Sequence, residues 1–175
     1  MERILVALDG SEHSDKALDL ASEIAAGCGT ELVLLHVVSD KPLTDGERQM
    51  AEVEYLNEIA TSLNGSAVES PGDPSSRAQQ VLQHYADVAR RFRQAMGQRM
   101  MSQARARARA RGARSVQNLV EDGDPAGTIL RLAKGLHVDM IVLGSRGLGD
   151  VQGLLMGSVS HKVAHLAECT CVSVK

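Results

Sequence analysis

The feature that most constrains this chain is a pair of short apolar runs separated by one helical stretch. Ile4 to Leu8 is continuously apolar and ends at Asp9-Gly10, and Glu31 to Val38 reads ELVLLHVV. Runs of this length without polar alternation are strands buried on both faces. Between them Ala17, Leu18, Ala21, Ile24 and Ala25 recur at helical spacing. Ser11 or Ser14 can cap the start of that helix, and Gly27 and Gly29 stop it. Strand, helix and strand within about 35 residues call for a crossover connection, and hence for a parallel sheet.

The alternation resumes near residue 113. A strand over Ser115 to Val120 ends in EDGDP, and a short helix from Ala126 to Lys134 is stopped by Gly135. Asp139 to Leu143 is a further buried strand, followed by GSRGLGDVQGLLMGS. A helix from Ser158 to about Ala167 leads into Thr170 to Val174 as the fifth strand. The expected fold is therefore α/β: a Rossmann-like, open, five-stranded, mostly parallel sheet with helices on both faces. Between strands two and three the pattern changes. Pro42 and Thr44 lead into a helical segment at 45–62, and Asn64 to Ser76 is dense in Gly, Pro and Ser and reads as a break. A second helical segment runs from Arg77 to Arg111, with Val81, Leu82, Tyr85, Val88, Ala89 and Phe92 as an apolar stripe and Gly97 as its one interior glycine. Residues 1–175 thus read as a single domain, with 41–112 as an extended helical insertion.

Composition narrows the function classes. Aromatic residues make up 2% of the chain and tryptophan is absent, so the core is aliphatic. That also counts against platforms that stack nucleic-acid bases on aromatic rings. The net charge of -3 conceals a strong asymmetry: nine of the nineteen basic residues are arginines between Arg90 and Arg114, where there is no Asp or Glu. Asp45, Glu47, Glu52, Glu54 and Glu58 make the opposite excess in the segment before. On a helix, residues two apart lie about 200° apart, so Arg105 and Arg109 fall opposite Arg107 and Arg111. The charge encircles the helix, which favours a solvated helix end, or pairing with the acidic 45–58 segment, over nucleic-acid binding. Three cysteines make no disulfide framework, and Cys28 has no adjacent base. No 18-residue apolar stretch and no signal-peptide pattern is evident, so a cytoplasmic protein without a membrane span is expected. His161 and His165 stand four apart with no third ligand nearby and read as a surface pair. His36 reads as a hydrogen-bonded core residue. Met50, Met96, Met100 and Met101 suit a pliable helix interface.

Ligands of open α/β sheets bind beyond the carboxyl ends of the strands. Asp9, Val37 and the glycine loop after strand four all map to that edge. Gly144 and Gly147 let a ligand approach backbone, and Gly157-Ser158 opens a helix whose N–H groups and dipole favour an anion. The loop is neither a P-loop, which needs a lysine, nor the dinucleotide fingerprint, because Gly147, Gly149 and Gly153 are spaced wrongly. A phosphate site and a purely structural turn both remain open on these grounds.

Taken together, Gly144, Gly147, Gly157 and Ser158 in the spacing G-x2-G-x9-G-[ST] resemble the signature of ATP-binding universal stress proteins. ILVALDGSEHS, ELVLLHV, GDPAGTI, DMIVLGSRG and GSVSHKVAHLAEC resemble that family in order and spacing, over residues 1–40 and 113–175. The resemblance implies that Ala7 and Val37 border adenine, with Asp9 at adenine or ribose and Leu143 also among the nucleotide-binding residues. It implies Gly144 and Gly147 along ribose and α-phosphate, and Gly157, Ser158, Val159 and Ser160 on the terminal phosphates through N–H groups and hydroxyls; Arg146, inside the loop, can add charge to phosphate or face solvent. It further implies ATP with Mg or Mn, no catalytic residue and little or no hydrolysis, a regulatory stress-response role with an unidentified protein partner, and a homodimer through the C-terminal strand. Thr170 stands where the family commonly has proline. Two rivals are an enzyme of a related nucleotide-binding fold, for which HxGH or SGGxDS is missing near strand one, and an interaction module that works through the insertion.

Overall fold

A computed structural model describes residues 1–38, 74–148 and 156–175, with backbone only for 74–86 and 88. The expected helix at 45–62, the acidic cluster at 45–58, Met50, the Gly/Pro/Ser-rich break up to residue 73, Gly149 and Gly153 lie outside the described residues, as do the side chains of Val81, Leu82, Tyr85 and Val88. In chain order the elements are β1 (Arg3–Leu8), α1 (Glu12–Cys28), β2 (Glu31–Val38), α2 (Pro74–Ala110), β3 (Val116–Asp122), α3 (Pro125–Gly135), β4 (Met140–Gly144), α4 (Ser158–Leu166) and β5 (Thr170–Val174).

The five strands form one sheet in the order β3-β2-β1-β4-β5, and every pairing is parallel. Period-two alternation on the apolar runs sends side chains to both faces. Ile4, Val6 and Leu8 join Leu32, Leu34, Val116 and Val142 under α1 and the end of α2. Leu5, Leu35, Ile141 and Leu143 face α3 and α4. A fully buried Leu, Ile or Val side chain contributes roughly 1.5–3 kcal/mol, so these two aliphatic layers stabilise the sheet without aromatic residues.

Local chemistry sets most helix ends. Ser11, not Ser14, caps α1: its side chain accepts from Ser14 N–H. Gly27 does not stop that helix, which continues to Cys28 and ends where Gly29 adopts φ +67. Asp124 caps α3 by accepting from Gly127 N–H at 2.8 Å, and Pro125 takes the first turn. Gly135 remains helical, and the left-handed residue after α3 is His137, at φ +52.

The chain divides into two units, Met1–Ser39 with Met96–Lys175, and Asp40–Ala95. Within the second, α2 residues to Ala95 are helical and Phe92 is buried. The first unit takes in residues 96–112, which the sequence assigns to the insertion. Met101, Ala104 and Ala108 recur at helical spacing and are buried in the same cluster as Ile4 and Leu34, so this stretch is a layer of the sheet unit.

Candidate functional site

The neighbours of β1 are β2 on one side and β4 on the other, so the chain's path across the sheet reverses between β1 and β4. A crevice opens at such a switch point, at the carboxyl ends of the two strands. Two loops meet there. In the β1–α1 turn, Asp9 Oδ1 accepts from Ser11 N–H at 3.0 Å, and Gly10 takes φ +83, a conformation that favours glycine. After β4, Ser145 N–H donates to Val174 O at 2.6 Å and Gly157 N–H donates to Ser145 O at 2.8 Å, drawing the two ends of the loop together. The loops are joined directly by Ser11 Oγ, which donates to Arg146 O at 3.3 Å.

The glycines of the motif do different work. A Cβ on Gly144 would lie 2.9 Å from His13 C and Ser14 N, so this glycine admits the first turn of α1. A Cβ on Gly147 would collide with Asp9 Oδ2, which places the carboxylate directly over the loop. At Gly157 a Cβ would meet only ordinary contacts, the nearest being Ser145 O at 3.5 Å. Packing against the described residues does not demand glycine there.

Gly157 is the N-cap of α4, and among the described residues no side chain caps that helix. The first intrahelical bond is His161 N–H to Gly157 O at 2.9 Å. The N–H groups of Ser158, Val159 and Ser160 therefore precede the ladder, with the positive end of the helix dipole behind them. No acidic residue occupies the first turn. An anion is the chemistry that such an end accepts.

Ala7 and Val37 are half-buried on the face packed by α3 and α4, and Asp9 is exposed beside them. Leu143 is only 3% exposed and belongs to the core. Arg146 is half-buried. Ser158 is exposed and Val159 half-buried. The hydroxyl of Ser160 donates to Ser145 O at 2.8 Å and Gly157 O at 2.9 Å, so it holds the helix to the loop and leaves only its N–H for a ligand. A cavity of about 450 Å³ lies at the other end of the sheet, lined by Leu130, Val138, Leu166 and Cys169 among others. Lys134 and Glu168 at its rim pair with each other at 2.8 Å. The backbone donors are at the glycine loop, and that is where the chemistry points.

Several residues outside the expected set bear on this edge. His36 is hydrogen-bonded as expected, with Nδ1–H donating to Leu8 O at 2.8 Å. Two arginines of the run, Arg107 and Arg111, find acidic partners on α1. Arg107 Nε and NH2 donate to the two oxygens of Asp19 at 2.6 and 2.7 Å, and Arg107 NH1 reaches Asp15 at 3.1 Å. Arg111 bonds Asp19 at 2.8 Å and Glu23 at 2.6 Å. The Arg107 guanidinium, opposed by some burial, holds the Asp19 carboxyl below its usual range, and the same bonds raise the Arg107 pKa. The missed signal is the i, i+4, i+8 spacing of Asp15, Asp19 and Glu23, which matches Arg107 and Arg111 one turn apart. His161 and His165 are both exposed and stack with ring centroids 6.4 Å apart. Among the described residues no group of three or more potential metal ligands occurs. The three cysteines are free, and burial pushes the Cys169 and Cys171 thiols up, away from nucleophilic use. Among the described helices none is long and apolar enough to cross a membrane.

Comparison with known proteins agrees with this architecture. The model of the universal stress protein family matches residues 1–175. Universal stress protein YxiE of Bacillus subtilis is 31% identical over 173 residues, covering 99% of this chain and 98% of the relative. The solved universal stress protein UspA from Lactobacillus plantarum superposes with a TM-score of 0.70 at 23% identity, covering 99% of this chain and 97% of that one. A universal stress protein solved in complex with cAMP has a TM-score of 0.62 at 22% identity, covering 99% of this chain and 95% of the other.

Proposed function

The chain belongs to the universal stress protein family, and from that premise we propose that it binds an adenine nucleotide, ATP with Mg or Mn, at the β1/β4 crevice. The observation that carries the reading is the start of α4: a helix N-terminus with no side-chain cap among the described residues, entered through a glycine where a Cβ would meet only ordinary contacts. Ala7 and Val37 would border the base, and Asp9 would accept from ribose or adenine. The backbone of Gly147 would run along the first phosphate. The N–H groups of Ser158, Val159 and Ser160 would hold the last ones, with Arg146 at the loop's inner end. Leu143 and Gly144 support the site from the core and from the α1 contact. Support from a relative comes from the solved family member in complex with cAMP, which carries the same base and sugar. The divalent ion would sit on the phosphates and neutralise charge there.

We read the output as conformational or associative, in a regulatory stress-response role in the cytoplasm, with little or no hydrolysis. Attack by water needs a base placed to take its proton, and Asp9, the described carboxylate of the β1–α1 turn, already accepts from Ser11 N–H. The homodimer would form through β5, the edge strand of the sheet, whose outer side offers backbone groups for pairing.

Calorimetry of the purified chain with ATP, AMP and cAMP, each with and without Mg²⁺, tests the reading, together with mass spectrometry of ligand released on denaturation. We expect ATP with Mg²⁺ to bind most tightly. No binding of any of the three, and no released nucleotide, would reject the reading. Gly157→Val should weaken ATP by more than tenfold while a cooperative thermal transition is retained, since the added Cβ meets only ordinary contacts in the protein and the phosphate path in the complex.

A further inference from the structure

We infer that His36 is a positioning residue for the Asp9 turn, and that helix α2 sets it through Gly97; this rests on the nucleotide reading given above. Leu8 is the last residue of β1, and its carbonyl immediately precedes Asp9. That carbonyl accepts the Nδ1–H of His36, its registered partner on β2, at 2.8 Å. Since a carbonyl can only accept, the bond fixes the tautomer with the proton on Nδ1. The other side of the ring lies on α2. A Cβ at Gly97 would be 2.7 Å from His36 Cδ2 and 3.2 Å from Nε2. This accounts for the one interior glycine of the helix, a position where glycine is intrinsically unfavourable. The imidazole is thus wedged between the carbonyl before Asp9 and the bare backbone of α2.

Helix α2 touches the same turn a second time. Gly10, the residue after Asp9, takes φ +83, and a Cβ there would lie 3.3 Å from Met100 Sδ. Gly97 and Met100 are one turn apart, so a single face of α2 abuts the turn on both sides of Asp9. Asp9 Oδ1 is already tied to Ser11 N–H, and Oδ2 lies over Gly147. The carboxylate itself is placed by Ser11 and the glycine loop, and α2 holds the backbone on either side of it: Met100 lies against Gly10, and Gly97 reaches Leu8 O through the ring. A shift of α2 along its axis would move the ring, the Leu8 carbonyl and the carboxylate together. No other described contact links α2 so directly to the groups proposed to read base and ribose.

The test measures ATP–Mg²⁺ affinity and thermal stability in the full chain for four variants. His36→Leu keeps bulk but removes the donor. His36→Asn keeps an N–H near the Nδ1 position without the ring. We expect His36→Leu to weaken ATP about tenfold, the scale of one lost hydrogen bond at a polar site, and His36→Asn to recover affinity to within about threefold of wild type. Both lose the ring's packing, so thermal stability will not separate them, whereas affinity will. Gly97→Ala should weaken ATP at least fivefold although alanine is the better helix former. In the His36→Asn background, where no ring opposes the new methyl, the same change should cost less than twofold. Should His36→Leu fail to fold, the Gly97→Ala and His36→Asn cycle still decides. Equal affinity in all four variants, or additive losses in the cycle, would overturn the inference while leaving nucleotide binding intact. A wild type that binds no nucleotide overturns both.

Discussion

Helix α1 is held at two places by opposite means. Its first turn meets the glycine loop through uncharged backbone packing, with Gly144 against His13 and Ser14 and one hydroxyl bond from Ser11 to Arg146 O. Its outer face meets α2 through ions: Asp15, Asp19 and Glu23 against Arg107 and Arg111. The first contact cannot take one more carbon atom. The second is exposed, with the two arginine side chains 41% and 38% accessible, and depends on solvent. Close packing fixes position, whereas exposed charge sets a preference that conditions can change.

Gly144→Ala breaks the packed side and carries the largest expected effect. The added carbon would meet backbone atoms of α1, which cannot rotate away as a side-chain tip could. Overpacking of this kind costs about 2–3 kcal/mol, or a fall in melting temperature of about 5–10 °C for a chain of this size. Denaturant or thermal unfolding measures it. A loss below about 1 kcal/mol would mean that α1 is free to move off the loop, and the contrast between the two contacts would collapse.

How far these contacts were legible in the sequence follows the range of the forces behind them. The five strands, the Asp9 turn and the glycine loop are written in local chemistry: apolar runs ended by Asp-Gly, a Ser cap, glycines where backbone approaches backbone. The mostly parallel sheet follows from the alternation of strand and helix, whereas the strand order, and with it the β1/β4 crevice, does not. Gly144 was legible as a special glycine, but its partner, α1, was not, because contact between elements distant in sequence leaves no periodic trace. The arginine run was legible as charge around a helix, but its contact with α1 was not, for the same reason. Alternate arginines encircle a helix, and only the burial of Met101, Ala104 and Ala108 decides which of them face α1. Gly135 looked like a helix stop and is not one, because His137 supplies the left-handed residue instead. Gly97 looked incidental until His36 was seen against it.

The charged side is tested by Arg107→Ala, expected to cost about 1 kcal/mol. The bidentate bond to Asp19 is worth more than a lone surface pair, but accessibility and screening reduce it. Raising salt to 1 M, where the Debye length is about 3 Å, should shrink the gap between variant and wild type. The same salt should leave the Gly144→Ala loss nearly unchanged. An Arg107→Ala penalty indifferent to salt would make the seam a packing contact like the other.

Asp19→Asn carries the smallest effect and gives the seam a pH signature. Hydrogen bonds from Arg107 come first, opposed by partial burial and helped by the charges of Arg107 and Arg111, and the folded carboxyl stays below its ordinary value. A carboxyl whose folded pKa is lowered contributes stability that is fully present above the unfolded value, about 3.9, and is lost as pH falls through the folded one. Wild type should therefore exceed Asp19→Asn by somewhat under 1 kcal/mol at pH 7, and the difference should fall away once pH drops below about 4. Urea midpoints for both proteins, compared from pH 7 down to the lowest pH at which both still fold, give the curve. A gap constant over that range would assign the Asp19 contribution to shape and not to charge, and the two holds on α1 would then be of one kind.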